Sequence, residues 1–150
     1  MNIQQQTALE NLVDKKLTQE EIDLIEPFLS IRDDVSIANL LPKKRVLVST
    51  PIGIGTILAF LAPSGGAFLD ALEAVGQSDP NVKWALKLIE QSNFDIGMPA
   101  TRAQMKAFAQ AAPQFAEGIA LLLTLAEKEE RVHYNAVSDA LNIAEGRLTL

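Results

Sequence analysis

Residues 46–69 form an apolar segment without a charged side chain, and this segment limits what the chain can fold into. A membrane-spanning helix needs roughly 20 predominantly apolar residues, and the basic residues 43–45 (Lys-Lys-Arg) provide a flank that such helices often carry. However, Pro51, Pro63 and several glycines divide the segment into pieces too short to cross a bilayer. The sequence therefore favours a buried core over a membrane span.

Length and composition favour a single folded domain. At 150 residues, the chain can bury one sizeable core, whereas two domains would each have a marginal one. Hydrophobic residues make up 48% and charged residues 21% of the chain, a balance typical of globular proteins rather than of disordered or low-complexity chains. We therefore predict one helical domain over residues 1–150, with residues 131–150 as a less securely docked tail.

Charge and cysteine content exclude several classes of function. The net charge of −6 argues against a general nucleic-acid binder, because phosphate affinity comes mainly from clustered Lys and Arg. The chain has no cysteine, so disulfides and thiolate metal sites are excluded. Residues 1–6 have neither the basic nor the apolar region of a secretory signal. We therefore expect residence in a cytoplasm.

Most of the sequence has the apolar spacing and capping residues of helices. Thr18 and Glu21 fit a capping box, Ser64 and Asp79 with Pro80 are typical of helix starts, and Gly76 is typical of a left-handed helix end. The pattern predicts helices near residues 4–15, 18–27, 64–76, 79–89, 101–110 and 115–126. The last of these is expected to continue into the charged residues 127–131.

One short extended segment is expected to interrupt the helices. Residues 45–48 contain the only β-branched run, so we predict a strand or an extended connector near residues 45–50. The expected fold is thus all-α, a compact multi-helix domain with this single connector. In the helix that begins at Asp79, we expect Trp84, Leu88 and either Val82 or Ile89 to face the core.

Side chains able to carry chemistry are scattered along the chain. The single histidine, His133, has no cysteine or clustered carboxylates at metal-ligand spacing, so an exposed helix histidine is favoured over a metal ligand or general base. Residues 53–56 (Gly-Ile-Gly-Thr) lack the further residues of a phosphate-binding loop, which favours close packing as the role of Gly53 and Gly55. We predict no catalytic residue, metal site, cofactor or small-molecule substrate.

Three segments together suggest a relationship to known proteins. They are residues 46–58, 68–73 and 79–86, the first preceded by the basic connector. This combination resembles small helical proteins encoded in the structural-gene modules of tailed bacteriophages. The resemblance implies a non-catalytic structural or assembly protein, associated with the tail or neck and located in the virion or the host cytoplasm. Its implied partners are phage structural proteins or further copies of the chain.

An association function requires a contact surface. A helix that is apolar on all sides lies either at a domain centre or at a partner interface, and residues 57–61 fit that description. The predicted surface combines a basic rim with four apolar side chains: Lys43, Lys44, Arg45, Ile54, Ile57, Phe60 and Leu61. The competing interpretation, which the sequence favours, is that the four apolar residues form the core.

Two other functions remain open at this stage. A membrane-active protein of holin type is suggested by the charge-free segment. A phage inhibitor that binds a host enzyme is suggested by small size, acidity and the absence of catalytic groups.

Overall fold

The computed structural model describes residues 1–148, which are mostly helical, as predicted. The α-helices within these residues are α1 (Ile3–Val13), α2 (Gln19–Ser30), α3 (Asp34–Leu40), α4 (Ile54–Phe60), α5 (Gly65–Gly76), α6 (Pro80–Glu90), α7 (Pro99–Ala111), α8 (Ala116–Thr124) and α9 (Tyr134–Ala144). A short 3₁₀ helix, Pro113–Phe115, precedes α8. The strands are β1 (Lys44–Leu47), β2 (Pro51–Ile52), β3 (Phe94–Asp95) and β4 (Glu127–Glu130).

The strands form two small antiparallel sheets, β1 with β4 and β2 with β3. A strand or an extended connector was predicted near residues 45–50, and β1 forms a strand there. Strands β2, β3 and β4 were not predicted, and β4 replaces the helical turn expected over residues 127–131. Strand β4 could not be predicted from residue propensities, because it consists of Glu-Lys-Glu-Glu, and these residues are poor strand formers.

Side-chain caps fix two helix starts as predicted. In α2, the Glu21 N–H donates to Thr18 Oγ1 (3.2 Å), and the Thr18 N–H donates to Glu21 Oε2 (2.8 Å), which completes a capping box. Before α6, the Asp79 carboxylate accepts the Asn81 N–H (2.9 Å), and Pro80 is the first helical residue. A cap of this kind stabilises a helix by about 1 kcal/mol.

Gly76 has a different role from the left-handed helix end that was predicted. It is the last residue of α5, and its φ is not positive. A Cβ at this position would lie 3.2 Å from the Cα of Lys83 on α6. The missing side chain therefore allows α5 and α6 to pack closely. Ser64 is the residue before α5, as predicted, although its hydroxyl makes no capping hydrogen bond.

The chain divides into two compact units. The first contains Met1–Val46 and the described residues from Glu129 onward, and the second is Leu47–Lys128. Each unit has its own cluster of buried apolar side chains. This arrangement differs from the single core that was predicted, because chain length limits the size of a core but does not show which helices share it.

Helices α1, α2, α3 and α9 build the core of the first unit. Its fully buried side chains include Leu9, Ile25, Ile37, Val137 and Leu141. Helix α9 packs against α1 and α3, so it differs from the less securely docked tail predicted for residues 131–150. The end of that predicted tail, residues 149–150, lies outside the described residues.

Glu10 is a buried carboxylate that joins the end of α1 to the connection that follows. Its Oε2 accepts a hydrogen bond from Lys16 Nζ (2.7 Å), and its Oε1 accepts from Gln6 Nε2 (2.9 Å) and the Leu17 N–H (3.2 Å). The hydrogen bond from Lys16, followed by that from Gln6, lowers the pKa of Glu10 from 4.5 to about 2.

We expect Glu10 to make the first unit sensitive to acid. Because its folded pKa is about 2 and its ordinary value is 4.5, the carboxylate stabilises the fold above the ordinary value, and this contribution disappears as the pH falls towards 2. Glu10→Gln should remove that part of the pH dependence. Circular dichroism melts near neutral pH and near the folded pKa should show a smaller fall in Tm for the variant. An equal fall in both proteins would contradict the prediction.

Helices α4 to α8, with β2 and β3, enclose the core of the second unit. The charge-free residues 46–69 are divided among β1, β2, α4 and the beginning of α5, and Ile52, Ile57, Leu61 and Phe68 from this segment are buried in the core. None of the helices within residues 1–148 combines the length and the apolar character needed to cross a membrane.

Gly97 occupies a position where a side chain does not fit. A Cβ there would overlap the carbonyl oxygen of Val48. The close packing predicted for two other glycines is confirmed only for Gly53, whose Cβ would overlap the Ser92 hydroxyl, whereas a Cβ on Gly55 would meet nothing within 4 Å.

Replacing Gly97 or Gly55 by alanine should therefore affect the stability of the protein differently. Gly97→Ala should lower the free energy of unfolding by about 1–3 kcal/mol, through overlap with backbone that cannot easily move. Gly55→Ala should leave it unchanged or raise it by up to about 1 kcal/mol, because alanine is the better helix former. Urea unfolding measures both changes. Equal stability of the two variants would show that the backbone around Val48 can move.

Candidate interaction surface

Three of the predicted contact residues lie at the start of β1: Lys43 immediately precedes the strand, and Lys44 and Arg45 are its first two residues. All three are exposed, as a charged rim requires. They belong to the first unit, whereas the four apolar residues of the predicted surface belong to the second. The basic residues are thus part of a different unit from the side chains that they were predicted to surround.

The four apolar residues divide between core and surface. Ile57 and Leu61 are 0% and 4% exposed, so they are core residues of the second unit, in agreement with the competing interpretation. Ile54 and Phe60 are 39% and 38% exposed. The i, i+4 spacing of Ile57 and Leu61 puts both on one face of the helix, and that face is the one that packs inward.

A second exposed apolar surface lies on α6. Trp84 is 59% exposed, and Leu88, one turn later, is 44% exposed. Both were predicted to face the core, and this prediction was wrong, because the buried side chains of α6 are Val82, Ala85 and Ile89. The helix carries two apolar stripes, each with helical spacing, and only one of them is buried.

Trp84 and Leu88 border an open groove of about 690 Å³. The buried side chains of Val82, Ala85 and Phe94 line it on the side of the core. The other wall belongs to α7 and consists of Ala100, Thr101, Gln104, Ala107, Phe108 and Ala111. We call this feature the α6–α7 groove.

Half of the residues in the α7 wall are alanines. Ala100, Gln104, Ala107 and Ala111 follow one another at intervals of three or four residues, which places them on one face of the helix. From Ala100 to Ala111 the wall is about 16 Å long, at 1.5 Å per residue. Because methyl groups project little, a partner could approach the backbone of α7 closely.

An aromatic cluster supports the groove from inside the core. Phe108 lines the groove, and its ring packs edge to face against Phe68 at 5.4 Å between centroids. Phe115 packs against Phe68 at the same distance. Phe68 is fully buried, so this part of the groove is backed by well-packed rings.

Two lysines flank the exposed indole of Trp84. The Nζ atom of Lys87 lies 4.4 Å from the ring centroid, and that of Lys83 lies 5.7 Å from it. Such cation–π contacts are worth about 0.5–1 kcal/mol at exposed sites. Neither lysine forms an ion pair in the part of the chain that the structure describes. Both lysines line a separate depression together with Glu73 and Glu90, and neither lines the α6–α7 groove.

Residues with catalytic potential have structural roles in this fold. His133 is exposed, and its Nδ1 accepts the Asn135 N–H (3.2 Å) at the beginning of α9. Asp95 accepts hydrogen bonds from the Ser49 hydroxyl (2.6 Å), the Thr50 N–H and the Gly97 N–H, and the first of these is the main cause of its lowered pKa. No cluster of His, Asp and Glu suited to a metal ion occurs within residues 1–148.

Comparisons with protein-family models, curated proteins and solved structures found no match for this chain. Its candidate site is therefore identified from geometry alone. Among the surfaces described above, the α6–α7 groove combines a strongly exposed aromatic side chain, Trp84, with a largely apolar lining.

Proposed function

We propose that this protein acts by association with other protein chains and that the α6–α7 groove is its contact surface. The observation that carries the proposal is the exposure of Trp84 beside Leu88 at the edge of an apolar groove. Exposed apolar patches of this kind mark interaction sites, and tryptophan is enriched among the residues that contribute most to binding energy.

The setting that we propose is the assembly of a tailed-phage particle, with the chain as a non-catalytic structural or assembly protein of the tail or neck. Its partners would be phage structural proteins or further copies of itself, in the virion or the host cytoplasm. The sequence resemblance supports this setting, and residues 79–86, which contribute to the resemblance, include Trp84. Particle assembly depends on contacts between chains rather than on catalysis.

The exposed area of Trp84 is large enough to contribute substantially to binding. An aromatic side chain buries about 150–250 Å², and 59% of Trp84 remains exposed. At about 25 cal/mol per Å², covering that remainder would contribute about 3 kcal/mol before the costs of ordering. This corresponds to roughly a 100-fold change in affinity.

Removal of the two exposed anchors should abolish association while the fold remains intact. We expect Trp84→Ala with Leu88→Ala to reduce capture of the partner roughly 100-fold. Pull-down from cells that produce the phage, quantified by mass spectrometry, measures the loss. The matched control is Leu121→Ala on α8, which is 52% exposed and does not line the groove. Unchanged capture by the double variant would remove the groove as the contact surface.

The composition of purified phage particles tests the proposed setting. Presence of the chain at a fixed stoichiometry would support a virion component, and presence only on incomplete particles would support an assembly factor. Recovery of a host enzyme as the sole partner, with no chain on any particle, would overturn the structural proposal in favour of an inhibitor.

A further inference from the structure

We propose that a depression between α7 and α8 binds a small amphipathic carboxylate, an anion that carries a short apolar chain. The depression has a volume of about 380 Å³, which is within the range of small-molecule sites. Residues from the 102–110 part of α7 line one side, and residues from the 116–123 part of α8 line the other. We call this feature the α7–α8 depression. It shares no lining residue with the α6–α7 groove, so the inference goes beyond the association function.

The charges that line the α7–α8 depression favour a monoanion. Arg102 and Lys106 both line it, and their i, i+4 spacing places them on one face of α7. The carboxylate in the lining is Glu127, which accepts a hydrogen bond from Arg102 Nη2 (2.6 Å). Lys106 forms no ion pair within residues 1–148. Two cations and one carboxylate leave the lining with one net positive charge, although the whole chain has a net charge of −6.

The guanidinium of Arg102 keeps a donor that the protein does not use. A guanidinium has five N–H donors. In Arg102, which is 6% exposed, Nη1 donates to the Ile96 and Leu123 carbonyls and Nη2 donates to Glu127, whereas Nε has no acceptor in the described part of the chain. No fully buried side-chain nitrogen there lacks a hydrogen-bond partner, so the Nε atom reaches solvent. Arg102 lines the depression, where a ligand carboxylate would accept this hydrogen bond.

The α8 side of the depression provides an apolar wall. Ala116, Ile119, Ala120 and Leu123 line it, and their spacing of three or four residues places them on one face of α8. The wall is about 10 Å long, at 1.5 Å per residue. A short alkyl chain would lie along it, with its carboxylate near Lys106 and the Arg102 Nε atom.

The combination of this wall with the charges disfavours other classes of ligand. A cation would lie beside Arg102 and Lys106. A multiply charged anion such as phosphate would bring excess negative charge close to Glu127, and it would leave the apolar wall uncovered. An uncharged apolar molecule would cover the wall but leave Lys106 without a partner. A monoanion with an apolar chain matches both parts of the lining.

Calorimetric titration of the full chain at pH 7 tests the ligand class. The probes are octanoate, hexanoate and the uncharged 1-octanol. We expect octanoate to bind with one-to-one stoichiometry. Hexanoate, which lacks two methylene groups, should bind about 5- to 15-fold more weakly. The alcohol, which lacks the charge, should bind at least about tenfold more weakly than octanoate.

Substitutions in the lining test the location. Ala120→Phe, at an exposed position on the apolar wall, should fill the depression and abolish octanoate binding, and Gln110→Phe on the α7 side should do the same. The matched control is Leu121→Phe, an exposed position on α8 that does not line the depression. Lys106→Met should weaken octanoate binding about three- to fivefold and leave the affinity for 1-octanol unchanged. Circular dichroism checks that each variant is folded.

Three results would overturn the inference. They are no octanoate binding by the folded wild type, equal affinity for octanoate and 1-octanol, and octanoate binding that persists in folded Ala120→Phe and Gln110→Phe proteins. None of these results bears on the association function, because Trp84 and Leu88 lie outside the α7–α8 depression. Unchanged partner capture by Trp84→Ala with Leu88→Ala would likewise leave the carboxylate site standing.

Discussion

Ile57→Asp should unfold the second unit, whereas Phe60→Asp, on the same helix, should leave it folded. Ile57 is fully buried, and Phe60 is 38% exposed. Loss of a buried aliphatic side chain costs about 2–5 kcal/mol, and an unpaired carboxylate in the same place adds a further penalty. At a partly exposed position the carboxylate stays hydrated, so the cost should be no more than about 1–2 kcal/mol.

Urea unfolding followed by Trp84 fluorescence measures this difference. Trp84 belongs to the second unit and is the only tryptophan, so its emission reports on that unit. We expect Phe60→Asp to show a cooperative transition and Ile57→Asp to show none. Equal stability of the two variants would mean that α4 does not pack with its Ile57 face inward.

Phe60→Asp also separates the two exposed apolar surfaces of the second unit. If the α6–α7 groove is the contact surface, this variant should capture the partner as well as the wild type does. Lost capture by a folded Phe60→Asp protein would instead support the surface predicted from sequence around Ile54 and Phe60.

Local features of the fold could be predicted from the sequence. The capping box at Thr18 and the Asp79 cap depend on side chains only two or three residues away from the N–H groups that they bind. The division of residues 46–69 into short pieces follows from proline and glycine within the same segment. Such features depend on residues close in the sequence, so they can be predicted without knowing how the helices pack together.

The inward face of α6 was predicted only in part, because two apolar stripes compete on that helix. Val82, Ala85 and Ile89 form one, and Trp84 and Leu88 form the other. Hydrophobicity alone favours burial of the larger tryptophan. The inward face depends instead on how α5 packs on α6, where Gly76 lies close to Lys83. The sequence does contain a relevant signal, since Lys83 and Lys87 flank Trp84, and exposed lysines often cover an exposed ring.

The two cores were also beyond sequence reasoning. Helix α9 is separated from α1 by most of the chain, but the two helices pack together in the first unit. The apolar spacing of Val137 and Leu141 shows that α9 has a face to bury. It does not show which helices cover that face, because pairing between distant segments depends on the whole fold.

Arg102 was missed for a different reason. It is 6% exposed, and it lies three residues before Met105, on the inward face of α7 that Met105 marks. Its guanidinium donates to the carbonyl oxygens of Ile96 (3.1 Å) and Leu123 (2.9 Å) and to Glu127 Oε1 (2.6 Å). The three-residue spacing from Met105 indicates an inward position for Arg102. Charged residues are rarely fully buried unless paired, so this position was not predicted.

Arg102→Met should therefore destabilise the second unit strongly although it retains a long apolar side chain. The substitution removes every hydrogen bond of the guanidinium and leaves two buried carbonyls and the Glu127 carboxylate without this donor. A buried polar group left without its partner costs about 1–3 kcal/mol, so the loss of these hydrogen bonds should lower the free energy of unfolding by at least about 2 kcal/mol. Arg102→Lys should recover only part of this, because an ammonium lacks the planar fork that reaches several acceptors at once.

Urea unfolding of the full chain, with Trp84 emission as the signal, measures the loss. The control is Lys106→Met, an exposed cation one turn later on α7, which should change stability by less than about 0.5 kcal/mol. If Arg102→Met proved as stable as this control, the hydrogen bonds that join α7 to Ile96 and Leu123 would contribute nothing to the fold. The position of the α7 wall, and with it the groove beside Trp84, would then depend on apolar packing around Met105 and Phe108 alone.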